Sequence, residues 1–123
     1  FIFGVFDHQN RLVGTCGFWV SESQLSERSV EIGGWGTLGM VGAGVATSAG
    51  IALMAWGFDA WPWQRIFALC NADNPQGRLL ATRIGLQQEE TREDAWDTVG
   101  RRRVDVIVYG ASRDTWRRPL CTG

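Results

Sequence analysis

The sequence predicts a mixed α/β domain in which a mostly antiparallel sheet is flanked by helices. Three observations support this class. Three β-rich runs open the chain, a glycine-rich turn then leads into an apolar helical run, and two further strand-like runs follow a second helix. Strands and helices that alternate after a meander are typical of one mixed sheet. At 123 residues, the chain is expected to form a single domain over positions 1–123.

The first three strands are predicted from β-branched and aromatic residues. Ile2 to Asp7 and Leu12 to Val20 are joined by His8 to Arg11, a polar link of hairpin length, so these two strands are expected to pair antiparallel. Ser21 to Arg28 is polar and is expected to be a loop, whereas Ser29 to Trp35 returns as a third strand.

Two helices and a strand are predicted in the middle of the chain. Val45 to Trp61 is apolar nearly all round, which is typical of a helix buried on more than one side. Arg65 to Cys70 is a continuous apolar run, which favours a central or parallel strand. Asn74 is a natural N-cap, with Pro75 at the first position of a helix that ends near Gly85.

The last third of the chain is predicted to return to the sheet. Gln87 to Trp96 and Arg103 to Tyr109 are strand-like, and a turn is expected near Asp97 to Gly100. Arg113 to Arg118 is expected to form a short terminal turn.

The glycine-rich turn from Gly39 to Gly44 lies between a strand and a helix. Glycine amides can turn inward without a Cβ in the way, and a helix start adds about half a positive charge. Because a pyrophosphate site needs this order of strand, glycine turn and helix, the sequence predicts an anion cradle here.

A membrane span is the alternative interpretation of the same stretch. No charged residue occurs between Glu31 and Asp59, and roughly 20 apolar residues cross a bilayer. Glycines crowd the first half of the stretch, and no arginine cluster flanks it. A buried helix is therefore favoured, and no membrane association is expected.

Composition excludes several other classes. A net charge of −1 and a pI near 5.8 provide no basic face for nucleic acid. The three cysteines are an odd number without CxxC spacing, which predicts neither a disulfide framework nor a metal site. No signal-peptide pattern opens the chain, so reduced thiols and a cytoplasmic location are expected.

Four blocks of the sequence are similar to motifs of one known family. Glu31–Trp35 (EIGGW) looks like an EIGYW strand, and Gly42–Thr47 (GAGVAT) like a GxGxAT loop. Asn74–Leu86 resembles an N-x-x-S…KLGF segment, and Gly100–Trp116 a G-x-x-x-D-x-x-x-Y…DW ending. These motifs, in this order, resemble the RimJ/RimL-type branch of the GNAT superfamily of acyl-CoA-dependent N-acetyltransferases.

The resemblance implies an N-acetyltransferase that uses acetyl-CoA as its cofactor. The family fold opens with a strand and one or two helices that this sequence lacks, and those elements would form part of the acceptor pocket. The resemblance implies that the strand end meets the pantetheine arm, that the loop and helix start hold the coenzyme A pyrophosphate, and that Asn74 contacts the cofactor. The cofactor-binding residues implied are Trp35, Gly36, Thr37, Val41, Gly42, Ala43, Gly44, Val45, Ala46 and Asn74.

Direct acetyl transfer needs a base that deprotonates the amine, and the resemblance assigns this role to Glu31. Its apolar neighbours would raise its pKa. The alternative is a strand carboxylate that is paired with an arginine or exposed at an edge. Three glycines depart from the family pattern: Gly34 replaces a tyrosine, Gly39 a glutamine or arginine, and Gly77 the serine that would protonate the leaving thiolate.

Several other residues are considered as candidates for a functional site. Tyr109 and Cys70 are predicted to be core residues, and His8 a solvated turn residue without a catalytic or metal-binding constellation. Trp19 and Trp35 are candidates for the acceptor pocket. Asp73, Glu89, Glu90 and Asp94 are predicted to be surface charges.

The expected function is acetyl transfer from acetyl-CoA to a primary amine, either a protein N-terminus or a small molecule. The alternative is a non-catalytic acyl-CoA-binding or interaction module of the same fold. An exposed first strand and an unusually apolar helix also predict self-association, as in a homodimer. The acceptor and the acyl length are left open by the sequence.

Overall fold

The computed structural model describes residues 1–36, 44–97 and 103–119. Six strands form one sheet in the order β1-β2-β3-β4-β6-β5, in which β3 and β4 are parallel and the other neighbours are antiparallel. The mixed, mostly antiparallel sheet predicted from the sequence is confirmed. The elements are β1 (Ile2–Phe6), β2 (Leu12–Trp19), α1 (Glu22–Ser26), β3 (Ser29–Gly36), α2 (Gly44–Ala60), β4 (Arg65–Asn71), α3 (Pro75–Arg83), β5 (Gln87–Asp97) and β6 (Arg103–Ser112).

The hairpin between β1 and β2 is fixed by Asp7. Its carboxylate accepts hydrogen bonds from the backbone N–H groups of Gln9 and Arg11, at 2.9 and 3.0 Å, and its other oxygen pairs with Arg11 Nε. These contacts lower the pKa of Asp7 below its ordinary value, with the Arg11 N–H as the largest cause. His8 lies exposed in the turn, as predicted.

The prediction of a loop from Ser21 to Arg28 is wrong in part, because α1 forms inside it. The Ser21 hydroxyl accepts from the Gln24 N–H at 3.3 Å, while Gln24 Oε1 accepts from the Ser21 N–H at 2.9 Å. This reciprocal pair is a capping box, which satisfies backbone groups at the helix start. The polar residues that suggest a loop are therefore the ones that begin a short helix.

The hydrophobic core lies between one face of the sheet and helices α2 and α3. We call this side the helix-covered face and the other side the opposite face. Val30, Met54 and Ile66 are fully buried at the centre of the core. Since side chains alternate along a strand, residues next to the core residues, such as Glu31 and Phe67, lie on the opposite face.

Helix α2 exposes only a narrow stripe apart from its ends. Ser48, Ala52 and Asp59 are exposed, while the other positions between the ends are buried or half-buried, as the apolar composition predicts. Within the described ranges, no helix has both the length and the apolar character needed to cross a membrane. Strand β4, in turn, has the central position that was predicted for it, between β3 and β6.

Strand β1 is one edge of the sheet. It exposes large apolar side chains, namely Ile2 at 60%, Phe3 at 41% and Phe6 at 55%. Self-association through this edge stays a prediction. The expected turn near Asp97 to Gly100 lies mostly outside the described residues, which end at Asp97 and resume at Arg103.

The segment after β6 closes the end of the helix layer. The Arg113 guanidinium donates to the carbonyl oxygens of Trp63 at 2.8 Å and Phe58 at 2.5 Å, and to that of Trp61. It also lies over the Phe58 ring, 5.5 Å from its centroid. The Trp116 indole donates to the Ile84 carbonyl at 3.0 Å. The expected terminal turn thus ties the C-terminal end of α2 and the end of α3 to the sheet.

Arg113→Ala is expected to destabilise the fold by roughly 2–4 kcal/mol, because three carbonyl groups lose a charged donor. Urea unfolding followed by tryptophan fluorescence measures this change. The control is Arg117→Ala, since Arg117 is exposed and donates to the carbonyls of its near neighbours Asp114 and Trp116. Equal stability changes in the two variants would contradict the role of Arg113.

Candidate active site

Strands β3 and β4 pair over three positions and then separate. Their register is Ser29 with Arg65, Val30 with Ile66, and Glu31 with Phe67. Beyond that point β3 continues to Gly36 on the β2 side, and β4 continues to Asn71 on the β6 side. Over these described residues, the facing edges have no strand partner. A wedge therefore opens in the middle of the sheet.

The wedge leads into a cavity of about 470 Å³ between the two strands and helices α2 and α3. The wedge itself closes at the Glu31–Phe67 pair, next to which the fully buried Val30 and Ile66 are paired. Most of the wall residues come from four elements, and Val5 of β1 and Thr15 and Cys16 of β2 complete the lining. The residues from these four elements include Ile32, Gly33 and Gly34 of β3, Ala46, Thr47 and Gly50 of α2, Ala68, Leu69, Cys70 and Asn71 of β4, and Gln76, Gly77, Leu80 and Arg83 of α3.

The wedge provides two kinds of binding group. The separated strands leave backbone N–H and C=O groups along both edges, and such groups need partners when they are covered. An extended chain that carries amide groups, as the pantetheine arm does, satisfies them in the manner of an added strand. Arg83 adds an exposed positive charge at the α3 side of the cavity. The residues present therefore fit a nucleotide thioester such as acetyl-CoA.

Asn74 lines this cavity and caps α3. Its Oδ1 accepts from the Gly77 N–H at 3.1 Å, which is the N-cap bond predicted from the sequence. Since Oδ1 is used inside the helix cap, the Nδ2 amide is the donor that Asn74 has for a bound ligand. Pro75 follows at the first helical position, as expected.

Glu31 is half-buried at the closed end of the wedge, on the opposite face of the sheet. It lies beside Trp19 on β2 and Phe67 on β4, and the Trp19 ring extends over Gly33, where a Cβ would be 3.2 Å away. Burial raises the pKa of the Glu31 carboxyl. β3 is an interior strand and, among the described residues, Glu31 has no ion-pair partner. The alternative of an edge carboxylate is therefore not supported.

The other predicted site residues divide into three groups. Trp35 and Gly36 end β3, and Gly44, Val45 and Ala46 form the first turn of α2, where Ala46 lines the cavity. Asn74 lies across the cavity from them. Thr37, Val41, Gly42, Ala43 and the departure at Gly39 lie outside the described residues, as does the anion cradle predicted there.

One of the three glycine departures, Gly34, has a structural reason. A Cβ at Gly34 would collide with the Thr15 carbonyl oxygen of the neighbouring strand, so the close approach of β2 and β3 leaves no room for a larger residue. A Cβ at Gly77 would lie 2.7 Å from Asn74 Nδ2. That amide is the end of a flexible side chain and can shift, so the contact does not explain why glycine stands where the family pattern has a serine.

Tyr109 and Cys70, which are predicted from the sequence to be core residues, have different positions in the structure. Tyr109 is buried, as predicted, and its hydroxyl accepts from Arg78 Nε at 3.2 Å. Cys70 is half-buried in the cavity wall rather than in the core, with its thiol 3.7 Å from the Gly77 carbonyl oxygen. Burial raises the pKa of the Cys70 thiol, which favours the protonated form. Across the described ranges, no three His, Cys, Asp or Glu side chains converge as metal ligands would.

Arg65, Phe67 and Glu89 were missed by the sequence interpretation. Arg65 forms an ion pair with Glu89 and lies over the Phe67 ring, 5.2 Å from its centroid. Phe67 in turn is the partner of Glu31 across the strand pair. Glu89 was predicted to be a surface charge, because its pairing depends on strands that are far apart in sequence.

The chain belongs to the acetyltransferase (GNAT) domain family, whose model matches residues 1–87. The matched region includes the wedge, both of its helices and Glu31. No curated protein sequence matches the chain closely enough to be a relative.

The solved structures that share the fold include the following three. An acetyltransferase of the GNAT family from Bacillus anthracis is 24% identical, with a TM-score of 0.81, and the match covers 92% of this chain and 66% of that one. A spermidine N-acetyltransferase variant from Vibrio cholerae is 21% identical, with a TM-score of 0.79 and coverage of 92% and 65%. RimL, a ribosomal L7/L12 α-N-protein acetyltransferase in complex with coenzyme A, is 24% identical, with a TM-score of 0.76 and coverage of 85% and 57%. The chain thus spans 57–66% of the length of these three proteins.

Glu31→Gln is expected to stabilise the folded protein in a pH-dependent way. The folded state holds the Glu31 proton more tightly than the unfolded chain, so wild-type stability falls as the pH rises through the raised pKa. The stability gain of the variant should therefore be smallest below the ordinary glutamate value of 4.5 and increase to a plateau at higher pH. Urea unfolding at a series of pH values measures this difference.

Glu27→Gln is the matched control, since it removes an exposed carboxylate four residues earlier. A gain for Glu31→Gln that is independent of pH, or that decreases as the pH rises, would contradict burial of the Glu31 carboxyl.

Proposed function

We propose that this chain transfers an acetyl group from acetyl-CoA to a primary amine and that it is an enzyme of the RimJ/RimL type. The observation that carries the proposal is the position of Glu31, a half-buried carboxylate at the closed end of a wedge between two parallel strands. The family match supports the reaction class, and the motif EIGGW supports the branch.

Acetyl-CoA is proposed to bind in the wedge. The pantetheine arm would run along the β3 edge towards Trp35, Gly36 and Thr37, opposite Asn74 on the α3 side. The pyrophosphate would lie at the loop that leads into α2, where Val41, Gly42, Ala43, Gly44, Val45 and Ala46 provide backbone N–H groups. This arrangement directs the reactive end of the cosubstrate to the Glu31–Phe67 pair.

Glu31 is proposed to take the proton from the acceptor ammonium, directly or through a water. A raised pKa brings a carboxylate closer to the operating pH of a general base. Trp19 and Phe67 restrict water on either side of Glu31, which strengthens its interaction with a cation. The backbone N–H groups on the separated edges are the donors available to the carbonyl oxygen as it becomes negative.

No side chain at position 77 can protonate the leaving thiolate, because the residue is glycine. A thiolate is a tolerable leaving group without an acid, so the reaction can proceed with Glu31 alone. The same observation supports the second candidate function, a non-catalytic acyl-CoA-binding module that keeps the wedge.

The proposal includes two classes of acceptor amine, a protein N-terminus and a small molecule. RimL is named for a protein α-amine and the Vibrio cholerae relative for spermidine. A cytoplasmic location is proposed as well, since Cys16 and Cys70 are both free thiols.

The activity is tested by calorimetric titration of acetyl-CoA into the chain, followed by thiol release with a panel of primary amines. Wild-type protein is expected to bind acetyl-CoA and to release coenzyme A in the presence of an amine. Glu31→Gln should lower kcat by about 10²- to 10⁴-fold, as expected for a lost general base, while acetyl-CoA binding is retained.

Glu27→Gln serves as the control, and it is expected to retain wild-type turnover because Glu27 lies outside the wedge. Acetyl-CoA binding without turnover for any amine would favour the non-catalytic module. Absence of binding would overturn the proposal.

Asn74 has two proposed roles that substitutions can separate. Asn74→Asp keeps an oxygen acceptor for the Gly77 N–H but loses the Nδ2 donor, so acetyl-CoA should bind about tenfold more weakly while stability is maintained. Asn74→Ala should weaken binding and also cost roughly 0.5–2 kcal/mol of stability. Calorimetry and urea unfolding measure the two effects.

Asn10→Asp controls for the added negative charge, because Asn10 lies in the β1–β2 hairpin with a positive φ that aspartate tolerates. Unchanged acetyl-CoA affinity in Asn74→Asp would rule out the contact with the cofactor.

A further inference from the structure

A row of side chains crosses the opposite face of the sheet at the level of Glu31. The strand registers align Trp19 with Glu31, Glu31 with Phe67, and Phe67 with Gly110. Neighbouring strands lie about 4.8 Å apart, so Glu31 and Gly110 are separated by roughly 10 Å. The Phe67 ring lies between them.

Glu89 occupies the end of this row. It is the extra residue of a β-bulge between Gln88 and Glu90 on β5, and its carboxylate lies where a Cβ on Gly110 would be, with its Cδ 2.7 Å from that point. The absence of a side chain at Gly110 thus makes the space for the Glu89 carboxylate, beside Phe67.

Arg65 links the middle of the row, at Phe67, to Glu89 at its end. It lies two residues before Phe67 on β4, with its guanidinium over the Phe67 ring and an Nη group paired with Glu89. Both partners are partly shielded, with exposed side-chain fractions of 34% for Arg65 and 39% for Glu89. A guanidinium has five N–H donors, so one bond to Glu89 leaves donors for a ligand.

The face therefore presents two opposite charges across one aromatic ring. Glu31 is a carboxylate without an ion-pair partner among the described residues, and Arg65 is a cation held in place by Phe67 and Glu89. Strand spacing and rise place the Cα atoms of Glu31 and Arg65 roughly 8 Å apart. A ligand whose ammonium lies at Glu31 therefore has Phe67 as its neighbour on this face, with Arg65 over that ring.

We propose that Arg65, held by Phe67 and Glu89, is a specificity-determining residue that selects acceptors with a carbonyl or carboxylate oxygen next to the reacting amine. This inference rests on the proposed function of the Glu31 site. An α-amino group fits both charges, because its ammonium faces Glu31 while the adjoining oxygen accepts from Arg65. An α,ω-diamine directs its second cation towards Arg65 and is disfavoured by like-charge repulsion.

The shared chemistry is an α-amine beside an oxygen, which occurs both in a free amino acid and at a peptide N-terminus. The carboxylate of a free amino acid forms an ion pair with Arg65. The uncharged carbonyl oxygen of a peptide accepts a hydrogen bond from it. Free alanine and alanine amide distinguish these two sources, and 1,4-diaminobutane represents the diamines.

The test is steady-state thiol release by the full chain with these three acceptors at saturating acetyl-CoA. Wild-type protein is expected to have a higher kcat/KM for the α-amino acceptors than for the diamine. Arg65→Gln should lower kcat/KM for the preferred α-amino acceptor by about 10- to 100-fold, mainly through KM, because a charged hydrogen-bond donor is lost. For the diamine, kcat/KM should be unchanged or increase.

Arg92→Gln is the matched control, because Arg92 is also paired with a strand glutamate, Glu90, and lies on β5, away from the Glu31–Phe67 pair. It should leave the preference between acceptors unchanged.

Glu89→Gln is the second variant. It keeps Arg65 but removes the carboxylate that holds it in place, so KM for the α-amino acceptor should increase by several-fold. Urea unfolding verifies that each variant is folded. If Arg65→Gln does not fold, Glu89→Gln is used to test the proposal.

The outcomes distinguish a failure of the proposed role of Arg65 from a failure of the proposed acetyltransferase function. Turnover in which Arg65→Gln lowers kcat/KM equally for alanine amide and for 1,4-diaminobutane would overturn the role of Arg65 and leave the acetyltransferase proposal intact. A wild-type preference for the diamine would have the same meaning. Failure to release thiol with any amine would overturn both.

Discussion

The separation of two parallel strands is the constraint on which the rest of this molecule depends. β3 and β4 are held together at one end by pairing over three positions and by the fully buried Val30 and Ile66. Beyond Glu31 and Phe67 each strand stays with its outer neighbour, so the inner edges diverge. Unpaired backbone groups are unfavourable unless water or a ligand satisfies them, and the wedge therefore favours an extended partner that carries amide groups.

The helices make the wedge into a site. α2 is the crossover between the two parallel strands, and it packs its buried side on the sheet while Ala46 and Gly50 line the cavity. α3 follows its N-cap Asn74, which lines the cavity and whose Oδ1 is used in the cap bond. Arg113 and Trp116 then fix the far ends of both helices through backbone carbonyls, which holds the helix layer at a constant distance from the sheet.

Charge on the opposite face is arranged by strand register rather than by nearness in sequence. Glu31, Phe67 and Gly110 share one row, and Arg65 and Glu89 meet above it although 24 positions separate them in the chain. The aromatic rings of Trp19 and Phe67 shield Glu31, whereas the Arg65–Glu89 pair stays partly exposed. Among the described residues, Glu31 thus has no ion-pair partner while Arg65 and Glu89 neutralise each other, and this asymmetry favours an ammonium group at Glu31.

Much of this arrangement was determined by the sequence itself. Hairpin chemistry at Asp7 to Arg11, the Asn74–Pro75 helix start and the apolar run of β4 are local patterns whose physical effect does not depend on distant residues. They predicted the first hairpin, the start of α3 and the position of β4, and four sequence blocks, one of them around Glu31, predicted the GNAT family that the domain match confirms. The capping box at Ser21 is a local signal as well, and it was overlooked because polar residues also suggest a loop.

Only the tertiary structure decided where those elements separate and what their side chains meet. The point at which β3 leaves β4 depends on pairing between strands that are 36 positions apart, and no local pattern encodes it. Cys70 in the cavity wall, the lack of room at Gly34, and the Arg65–Phe67–Glu89 cluster likewise result from which strands become neighbours. Local propensity specifies the type of each element, but the register between elements is set by the packing of the whole sheet against its helices.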